Sequence, residues 1–191
     1  MRDYQADKLL VYIKDLQFDA TGRPVLVYST SGGYEPGPDN GPRALWLAHW
    51  TGDDWNYRLV TTSDHNYDSA SLYIEPDDTW RIIGPTDSGP QAYGTGGEMV
   101  LWTSSDQGAT WQVEKQLTAG SSRNHTYARR PVNAHSDFYA LWADGNARQP
   151  SESLLYFCDA KGNVYRLPQT MNGSTARPLR LAPAAAAVGG E

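Results

Sequence analysis

Ser104-Ser105-Asp106-Gln107-Gly108-Ala109-Thr110-Trp111 is an octapeptide with the chemistry of a tight turn that ends in an aromatic anchor. Side chains of Asp and Ser can hydrogen-bond the backbone of a turn, and glycine adopts the positive φ that such a turn needs. A following tryptophan can pack the turn onto a sheet. The octapeptide therefore predicts a hairpin between two strands, and it favours a structural role for Asp106 and Trp111.

Aromatic residues elsewhere recur at nearly constant spacing, which indicates an internal repeat. The recurring sets are Trp46, Trp102 and Phe157, spaced 56 and 55 residues apart; Trp55, Trp111 and Tyr165, spaced 56 and 54; and Tyr12, Tyr67 and Tyr127, spaced 55 and 60. The loop at 119–124 accounts for the longest of these intervals. Three units of similar length therefore occupy most of the chain.

Each unit is predicted to form four short strands. The strands are alternating runs rich in Val, Ile, Tyr and Trp, bounded by Gly, Asp and Asn, and no window has apolar residues at helical spacing. The predicted strands are 12–19, 24–29, 44–50 and 55–61 in the first unit, 69–75, 80–84, 98–103 and 110–117 in the second, and 127–133, 138–143, 154–158 and 163–167 in the third. Four-stranded units of this length are typical of β-propeller blades.

The sequence thus predicts an all-β chain, a β-propeller fragment of about three four-stranded antiparallel blades at residues 8–62, 63–118 and 119–170. The composition of residues 171–191 predicts a disordered tail. A propeller closes with about four to eight blades, so three blades leave two sheet faces uncovered. We expect the chain to be the C-terminal part of a longer propeller with missing N-terminal blades, or else to self-associate.

Composition narrows the classes of partner. The chain has 7 Trp and 12 Tyr but only 3 Phe, and aromatic rings with a polar edge suit both packing between blades and contact with sugars. One cysteine excludes an internal disulfide framework, and no apolar run is long enough to cross a membrane. The net charge of -6 argues against nucleic acid, because phosphate binding needs a basic face. Residues 1–8 contain no signal peptide pattern.

Three further segments carry a resemblance to a known family. They are DHNYDS at 64–69, NHTYARRP at 124–131 and FYALWADG at 138–145. With the octapeptide, which matches the Asp-box of sialidase-like propellers, they resemble the BNR-repeat proteins, and among these the propeller-type ulvan lyases. The resemblance covers roughly residues 8–170. It implies a carbohydrate-active protein, most of all a polysaccharide lyase that cleaves uronate-containing, ulvan-like anionic glycans by β-elimination. The intact homologous protein would be secreted or periplasmic, whereas the location of this chain stays unknown.

The blade pattern also predicts where a site lies. The connections before the first strand and between the second and third strands open on one face of a blade. His65 with Tyr67, and His125 with Tyr127, should therefore reach the mouth of the central channel side by side. Loops 32–42, 88–97 and 144–153 would rise on that face and form the walls of a groove. The octapeptide turn would lie on the opposite face.

These residue types suit β-elimination. A lyase that cuts 4-linked uronates removes the proton at C5, neutralises the carboxylate and protonates the leaving oxygen O4. Histidine and tyrosine can transfer protons, and an adjacent arginine stabilises a phenolate. No cofactor is required. The predicted catalytic residues are His125, Tyr127 and Arg129, of which the last two share one side of their strand by alternation. The predicted substrate contacts are His65, Tyr67 and Arg130.

Structural roles compete with these assignments. A tyrosine recurs in all three units, including Tyr12 with no histidine beside it, so packing is an equally good explanation of the repetition. Either Arg129 or Arg130 can tie neighbouring blades through a carboxylate. His49, which lies in a strand among tryptophans, is predicted to be structural.

A second group of side chains is predicted on the opposite face. His135, Cys158 and Asp159 are candidate ligands of a structural zinc ion, although a fourth ligand is not evident. A buried, inert cysteine with a surface histidine is the competing interpretation.

Two other function classes stay open. A sialidase-like glycoside hydrolase would use a carboxylate such as Glu75 or Glu98, but the chain has no recognisable arginine triad. A non-catalytic glycan-binding BNR-repeat protein would need the aromatic residues without the histidine–tyrosine pairs.

Overall fold

The structure, a computed structural model, describes residues 3–65, 69–170 and 172–184. This part of the chain forms three antiparallel sheets, and besides a short 3-10 turn at Pro38–Asn40 it contains no helix. The described residues accordingly include no helix with the length and apolar character needed to span a membrane. The predicted all-β class of successive four-stranded, blade-like units is confirmed.

Strands that follow one another in sequence pair side by side in every sheet. Sheet 1 consists of β1 (Leu10–Phe18), β2 (Pro24–Ser31), β3 (Arg43–Trp50) and β4 (Trp55–Ser63). Sheet 2 consists of β5 (Ser71–Ile74), β6 (Trp80–Asp87), β7 (Glu98–Ser104) and β8 (Gln112–Gln116). Sheet 3 consists of β9 (Asn124–Arg129), β10 (Ala140–Gly145), β11 (Leu155–Cys158), β12 (Val164–Arg166) and β13 (Leu179–Arg180).

Sheet 3 has one strand more than the sequence predicts. In β13, Arg180 lies opposite Tyr165, and the next backbone N–H, that of Leu181, donates to the Val164 carbonyl at 2.9 Å. These residues fall in the segment 171–191, so the prediction of disorder was wrong for residues 179–181. The reason is that β12 offers an unpaired edge whose backbone groups the segment satisfies.

Two hydrophobic cores fill the spaces between the sheets. Alternation sends Ile82 toward sheet 1 and its neighbour Ile83 toward sheet 3, so sheet 2 is buried on both faces. The core between sheets 1 and 2 is centred on Val25, Val27, Leu47, Leu72, Trp80 and Ile82. The core between sheets 2 and 3 is centred on Ile83, Met99, Leu101, Ala128, Trp142 and Tyr156. Sheets 1 and 3 therefore each keep one face that no other sheet covers.

The octapeptide forms the turn between β7 and β8. The Asp106 carboxylate accepts hydrogen bonds from Ser104 Oγ at 2.8 Å and from the backbone and hydroxyl of Thr110 at 2.9 and 2.6 Å. Gly108 has a φ of 79°, and a Cβ there would overlap Leu47 and lie 3.1 Å from the Trp80 ring. The glycine thus serves two purposes, since it permits the turn and lets sheet 2 pack closely on sheet 1.

Sheets 1 and 2 share one hydrogen bond at equivalent positions. Trp46 Nε1 donates to Thr30 Oγ1 in sheet 1, and Trp102 Nε1 donates to Thr86 Oγ1 in sheet 2. In sheet 3, Tyr156 packs in the core and donates its hydroxyl to a carboxylate, whereas Phe157 points to the outer face. The residue that corresponds to Trp102 is therefore Tyr156, and the predicted match with Phe157 was wrong by one residue. A shift of one residue places the side chain on the opposite face of the strand.

The first strands of the three sheets converge. Asp15 Oδ2 in β1 accepts the backbone N–H of Leu72 in β5 at 2.8 Å. Ser71 Oγ in β5 donates to the carbonyl of Ala128 in β9 at 2.9 Å and accepts the N–H of Arg130 at 3.0 Å. This arrangement makes β1, β5 and β9 the inner strands, as in a propeller.

Candidate functional site

The most unusual backbone geometry on the inner strands lies at Tyr127 in β9. Arg129 pairs with Leu141 and Thr126 pairs with Ala143, so the ladder shifts by one residue between them. Tyr127 falls in this bulge at a φ of 56°, and 46% of the residue is exposed. Left-handed backbone is uncommon for a residue with a large side chain, and a bulge turns a side chain out of the regular pleat. β9 begins at Asn124, three residues earlier than predicted.

Arg129 lies next to this tyrosine. Its guanidinium carbon is 6.0 Å from the centroid of the Tyr127 ring, and the arginine side chain is exposed. The sequence predicted that the two residues share one side of a regular strand. They do meet, but through the bulge, which places a phenol and a cation together at the inner edge of sheet 3.

Arg130, a predicted substrate contact, lies instead at the junction of the three sheets. Its backbone N–H is bonded to Ser71, its guanidinium carbon lies 5.9 Å from the Tyr73 ring centroid, and its Nε is 4.0 Å from Asp15 Oδ2. Arg130 therefore ties β1, β5 and β9 together. The sequence left open that either Arg129 or Arg130 ties neighbouring blades through a carboxylate. Arg130 is the residue that does so.

His125 is buried, with 3% of its surface exposed, whereas the sequence placed it at the channel mouth. Trp142 Nε1 donates to its Nδ1 at 3.0 Å, so the ring proton is on Nε2, which faces Ser121 Oγ at 3.0 Å. In β9, His125 stands opposite Asp144 and faces sheet 2, whereas Arg129 stands opposite Leu141 on the outer side. The expected trio of His125, Tyr127 and Arg129 is thus divided between two sides of the strand.

A serine, a histidine and a glutamate lie together here as they do in a catalytic triad, namely Ser121, His125 and Glu98. The directions of their hydrogen bonds do not suit nucleophilic catalysis. Ser121 Oγ donates to Glu98 Oε2 at 2.8 Å and accepts the Nε2 proton of His125. A serine nucleophile would instead donate to an unprotonated histidine nitrogen. The network therefore holds the loop after β8 against β9.

Burial of His125 predicts a pH-dependent stability. Burial lowers the pKa of His125 below 6.5, with Arg123 acting in the same direction, whereas the carboxylates of Glu98 and Asp144 act to raise it. The unfolded chain then binds the extra proton first, so stability present above pH 6.5 is lost as the pH falls. We expect the free energy of unfolding to drop by up to about 1.4 kcal/mol between pH ~7.5 and ~5.5. Urea titrations at the two pH values measure this change.

His125→Gln is the matched control for that measurement. Glutamine can accept from the Trp142 indole and donate to Ser121, but it does not titrate. The variant should therefore show a smaller loss of stability over the same pH interval. Equal losses in the two proteins would contradict the assignment to His125.

His65 is buried as well, on the far side of the Gly97 backbone from His125. Its Nδ1 is 2.6 Å from Asp64 Oδ1, and its Nε2 contacts the Pro85 carbonyl oxygen. Burial acts to raise the pKa of Asp64, but the hydrogen bonds from His65 and from the Tyr93 backbone bring it below its usual value. Both histidines are therefore neighbours of Gly97 without sharing a cavity. Tyr67, the fourth member of the predicted pairs, lies outside the described residues.

A cavity of about 550 Å³ opens on the His125 side of sheet 3. Its polar lining comes from Ser121, His125, Asp144, Tyr156 and Arg166, and residues 181–184 form one wall. Burial, helped by the hydrogen bond to Asp144, raises the pKa of Tyr156 to about 12. The phenol therefore stays protonated at neutral pH. Tyr127 and Arg129 do not line this cavity, which is separate from the bulge.

The long loops at this end of the sheets contact each other, and a residue that the sequence did not single out anchors one of them. The side-chain amide of Asn124 donates to the carbonyls of Gln91, Thr95 and Gly96 at 3.0 to 3.1 Å. Arg148 Nη2 donates to the Ala92 carbonyl at 2.8 Å, which joins loop 144–153 to loop 88–97. Asn124 directly precedes His125 in the sequence, but no local pattern shows that its side chain reaches the loop at 91–96.

The predicted zinc ligands do not form a site. The Cys158 thiol lies in the core, where burial raises its pKa to about 12. Asp159 caps the β11–β12 turn by accepting the N–H groups of Lys161 and Asn163 at 2.9 and 2.8 Å. His135 is an exposed turn residue that accepts the Asp137 N–H at 3.1 Å. Within residues 3–65, 69–170 and 172–184, no group of three His, Cys, Asp or Glu side chains could hold a metal ion.

The two carboxylates considered for a glycoside hydrolase are both engaged inside the protein. Glu98 is buried and accepts hydrogen bonds from Thr118 Oγ1 and from the hydroxyl and backbone N–H of Ser121. Glu75 is hydrogen-bonded by the Tyr139 hydroxyl and lies 3.8 Å from Arg81. Neither carboxylate is presented to a ligand beside Tyr127.

No family model and no curated protein matches this chain. Among solved structures, it is similar in fold to two that are described as an ulvan lyase of a new family of polysaccharide lyase, one of them bound to GlcA(1-4)Rha3S. In both comparisons the TM-score is 0.59 and the sequence identity is 15%. The match covers 80% of this chain but only 33% of the lyase chain. The similarity establishes the fold, and the chain spans about a third of the length of its structural neighbour.

Proposed function

We propose that this chain carries part of the site of a polysaccharide lyase that cleaves uronate-containing, ulvan-like glycans by β-elimination. The observation that carries the proposal is the bulge in β9, which holds a half-exposed Tyr127 at positive φ beside the guanidinium of Arg129. Strained backbone of this kind costs about 1–3 kcal/mol and clusters at functional sites. A packing tyrosine would need neither the strain nor the exposure.

The pair has the parts that the reaction needs. A base removes the C5 proton of a 4-linked uronate, the C–H electron pair forms the C4–C5 double bond, and the C4–O4 bond breaks. We assign both proton transfers to the Tyr127 oxygen, which accepts the C5 proton as phenolate and passes it to the departing O4. Arg129 binds the substrate carboxylate, whose negative charge grows as the proton leaves. The step consumes no water and requires no cofactor.

Two further observations support an anionic polysaccharide as the ligand. The fold matches that of an ulvan lyase whose bound oligosaccharide contains the uronate GlcA. In addition, β1 carries a pair like that of β9, with Lys14 Nζ 5.6 Å from the centroid of the Tyr12 ring. Cations therefore stand beside tyrosines on two inner strands of a chain whose net charge is -6. The rest of the groove would come from other sheets of a closed ring.

His65 and Arg130 are not assigned as substrate contacts in this proposal. Arg130, which is partly buried, ties the inner strands together, and the buried His65 contacts the Pro85 carbonyl of β6. His125 holds the loop after β8 against β9. We therefore keep Tyr127 and Arg129 as the reacting pair, and Tyr67 as a candidate substrate contact.

The test is the product formed when the purified chain is incubated with a soluble 4-linked uronate polysaccharide. Elimination gives unsaturated uronate ends that absorb ultraviolet light, and the masses of the products sum to that of the substrate. Hydrolysis would add one water per cut and give no absorbance. Binding without cleavage would identify a glycan-binding protein. Either that result or hydrolysis would contradict the lyase proposal.

A further inference from the structure

The outer face of sheet 1 repeats the face by which sheet 2 packs on sheet 1. In sheet 2, one row of side chains crosses the four strands toward sheet 1, and it consists of Leu72, Ile82, Trp102 and Val113. The corresponding row of sheet 1 points away from sheet 2, and it consists of Ile13, Tyr28, Trp46 and Leu59. Both rows place the tryptophan with its threonine-bonded indole at the third strand. The outer face of sheet 1 is therefore built as a contact surface for another sheet.

The two rows differ in what covers them. Leu72 in β5 is fully buried under sheet 1, whereas its counterpart Ile13 in β1 is 70% exposed. The other members match more closely, since Tyr28 is buried like Ile82, and Leu59 and Val113 are 50% and 52% exposed. Leu16 and Phe18, which alternate onto the same outer face of β1, are also exposed. The exposed apolar surface is therefore concentrated on β1, and an exposed apolar patch of this kind marks an interaction site.

Sheet 3 presents the complementary surface. Sheet 1 covers sheet 2 with aliphatic residues of its inner face, such as Val27 opposite Leu47. The matching face of sheet 3 carries Leu141 opposite Phe157, and Phe157 stacks on Phe138 and Tyr165 with centroids 4.8 and 4.9 Å apart. Leu155 on this face is 49% exposed. The chain thus carries both halves of the contact that already joins its own sheets.

We propose that the outer face of sheet 1 binds the outer face of sheet 3 of a second copy of this chain. Two copies related by a twofold axis then form two identical contacts of this kind and close a ring of six sheets. Six lies within the range of about four to eight blades in which propellers close. A second copy is the occupant that supplies both surfaces, and closure leaves neither surface exposed.

Analytical ultracentrifugation of the chain tests the proposal. We expect a species of twice the 21.1 kDa mass of one chain. Ile13→Lys on sheet 1 and Leu155→Lys on sheet 3 should each weaken the pair about 100-fold or more, because each buries an unpaired charge in both contacts. Val132→Lys is the matched control, since it replaces an exposed apolar residue that lies in the β9–β10 connection, outside the strands of both faces. Both lysines replace exposed residues, and circular dichroism checks that each variant is folded.

Mixing the two variants identifies the faces. Ile13→Lys keeps an intact sheet 3 surface and Leu155→Lys keeps an intact sheet 1 surface, so the mixture should recover one contact and form a mixed pair. A wild-type chain that stays monomeric at high concentration would overturn the proposal. Pairing that Leu155→Lys leaves unchanged would also overturn it, as would an open series of larger species.

Discussion

Replacing Trp142 by alanine is expected to lower the free energy of unfolding by about 3–5 kcal/mol. The indole is buried at the centre of the core between sheets 2 and 3 and lies parallel to the Tyr156 ring at a centroid distance of 6.2 Å. Its N–H is also the hydrogen-bond donor to His125 Nδ1. The loss would be a large share of the roughly 5–15 kcal/mol that stabilises a typical domain. Urea unfolding followed by far-ultraviolet circular dichroism measures it.

Two variants separate the parts of this effect. Trp142→Phe keeps a ring in the core but leaves the buried Nδ1 of His125 without its donor, which should cost about 1–3 kcal/mol of the total. Trp55→Ala removes a partly exposed tryptophan at the end of a hairpin, and it should cost less than Trp142→Ala. If Trp142→Ala is no more destabilising than Trp55→Ala, the described core between sheets 2 and 3 is wrong.

Gly97→Ala is expected to lower the free energy of unfolding by about 3 kcal/mol or more. A Cβ at this position would overlap the Asp87 carbonyl oxygen and lie 3.2 Å from Cε1 of the His65 ring. The backbone of Gly97 also exchanges two hydrogen bonds with His125, at 2.9 and 2.8 Å. Main-chain atoms surround the site, so the strain cannot be relieved by rotating a side chain. For a chain of this size, such a loss lowers the melting temperature by roughly 6–12 °C.

Gly145→Ala is the control for Gly97→Ala. A Cβ on Gly145 would meet only Ser151 Oγ at 3.8 Å, which is an ordinary contact. Its effect on the melting temperature should therefore be small. Equal melting temperatures for the two alanine variants would show that the Gly97 backbone is not packed as described.

The regular parts of the fold were predictable from the sequence because they depend on local chemistry. The octapeptide contains its own turn contacts, since Asp106 bonds Ser104 and Thr110 within eight residues. Period-two alternation likewise identified most of the strands. The pattern could not show that β13 would join sheet 3, because Leu179 and Arg180 pair only through backbone groups of β12.

The candidate site was harder to predict because burial and bulges depend on distant residues. The sequence placed His125 at a channel mouth, but Trp142 and Ser121 enclose it from other parts of sheet 3 and from the loop after β8. The sequence identified Tyr127 because a tyrosine recurs in all three units, and its positive φ was not predicted. Nothing local to the sequence around it shows the extra residue that shifts β9 against β10.

The assignment of Tyr127 is tested most directly by comparing Tyr127→Phe with Tyr165→Phe in the elimination assay. Both variants remove one phenolic oxygen from sheet 3, but Tyr165 lies in β12, away from the inner strand. We expect Tyr127→Phe to lower the rate of unsaturated-uronate formation by about 100-fold or more, and Tyr165→Phe to leave it unchanged. A Tyr127→Phe variant that forms the unsaturated product as fast as Tyr165→Phe would contradict the assignment.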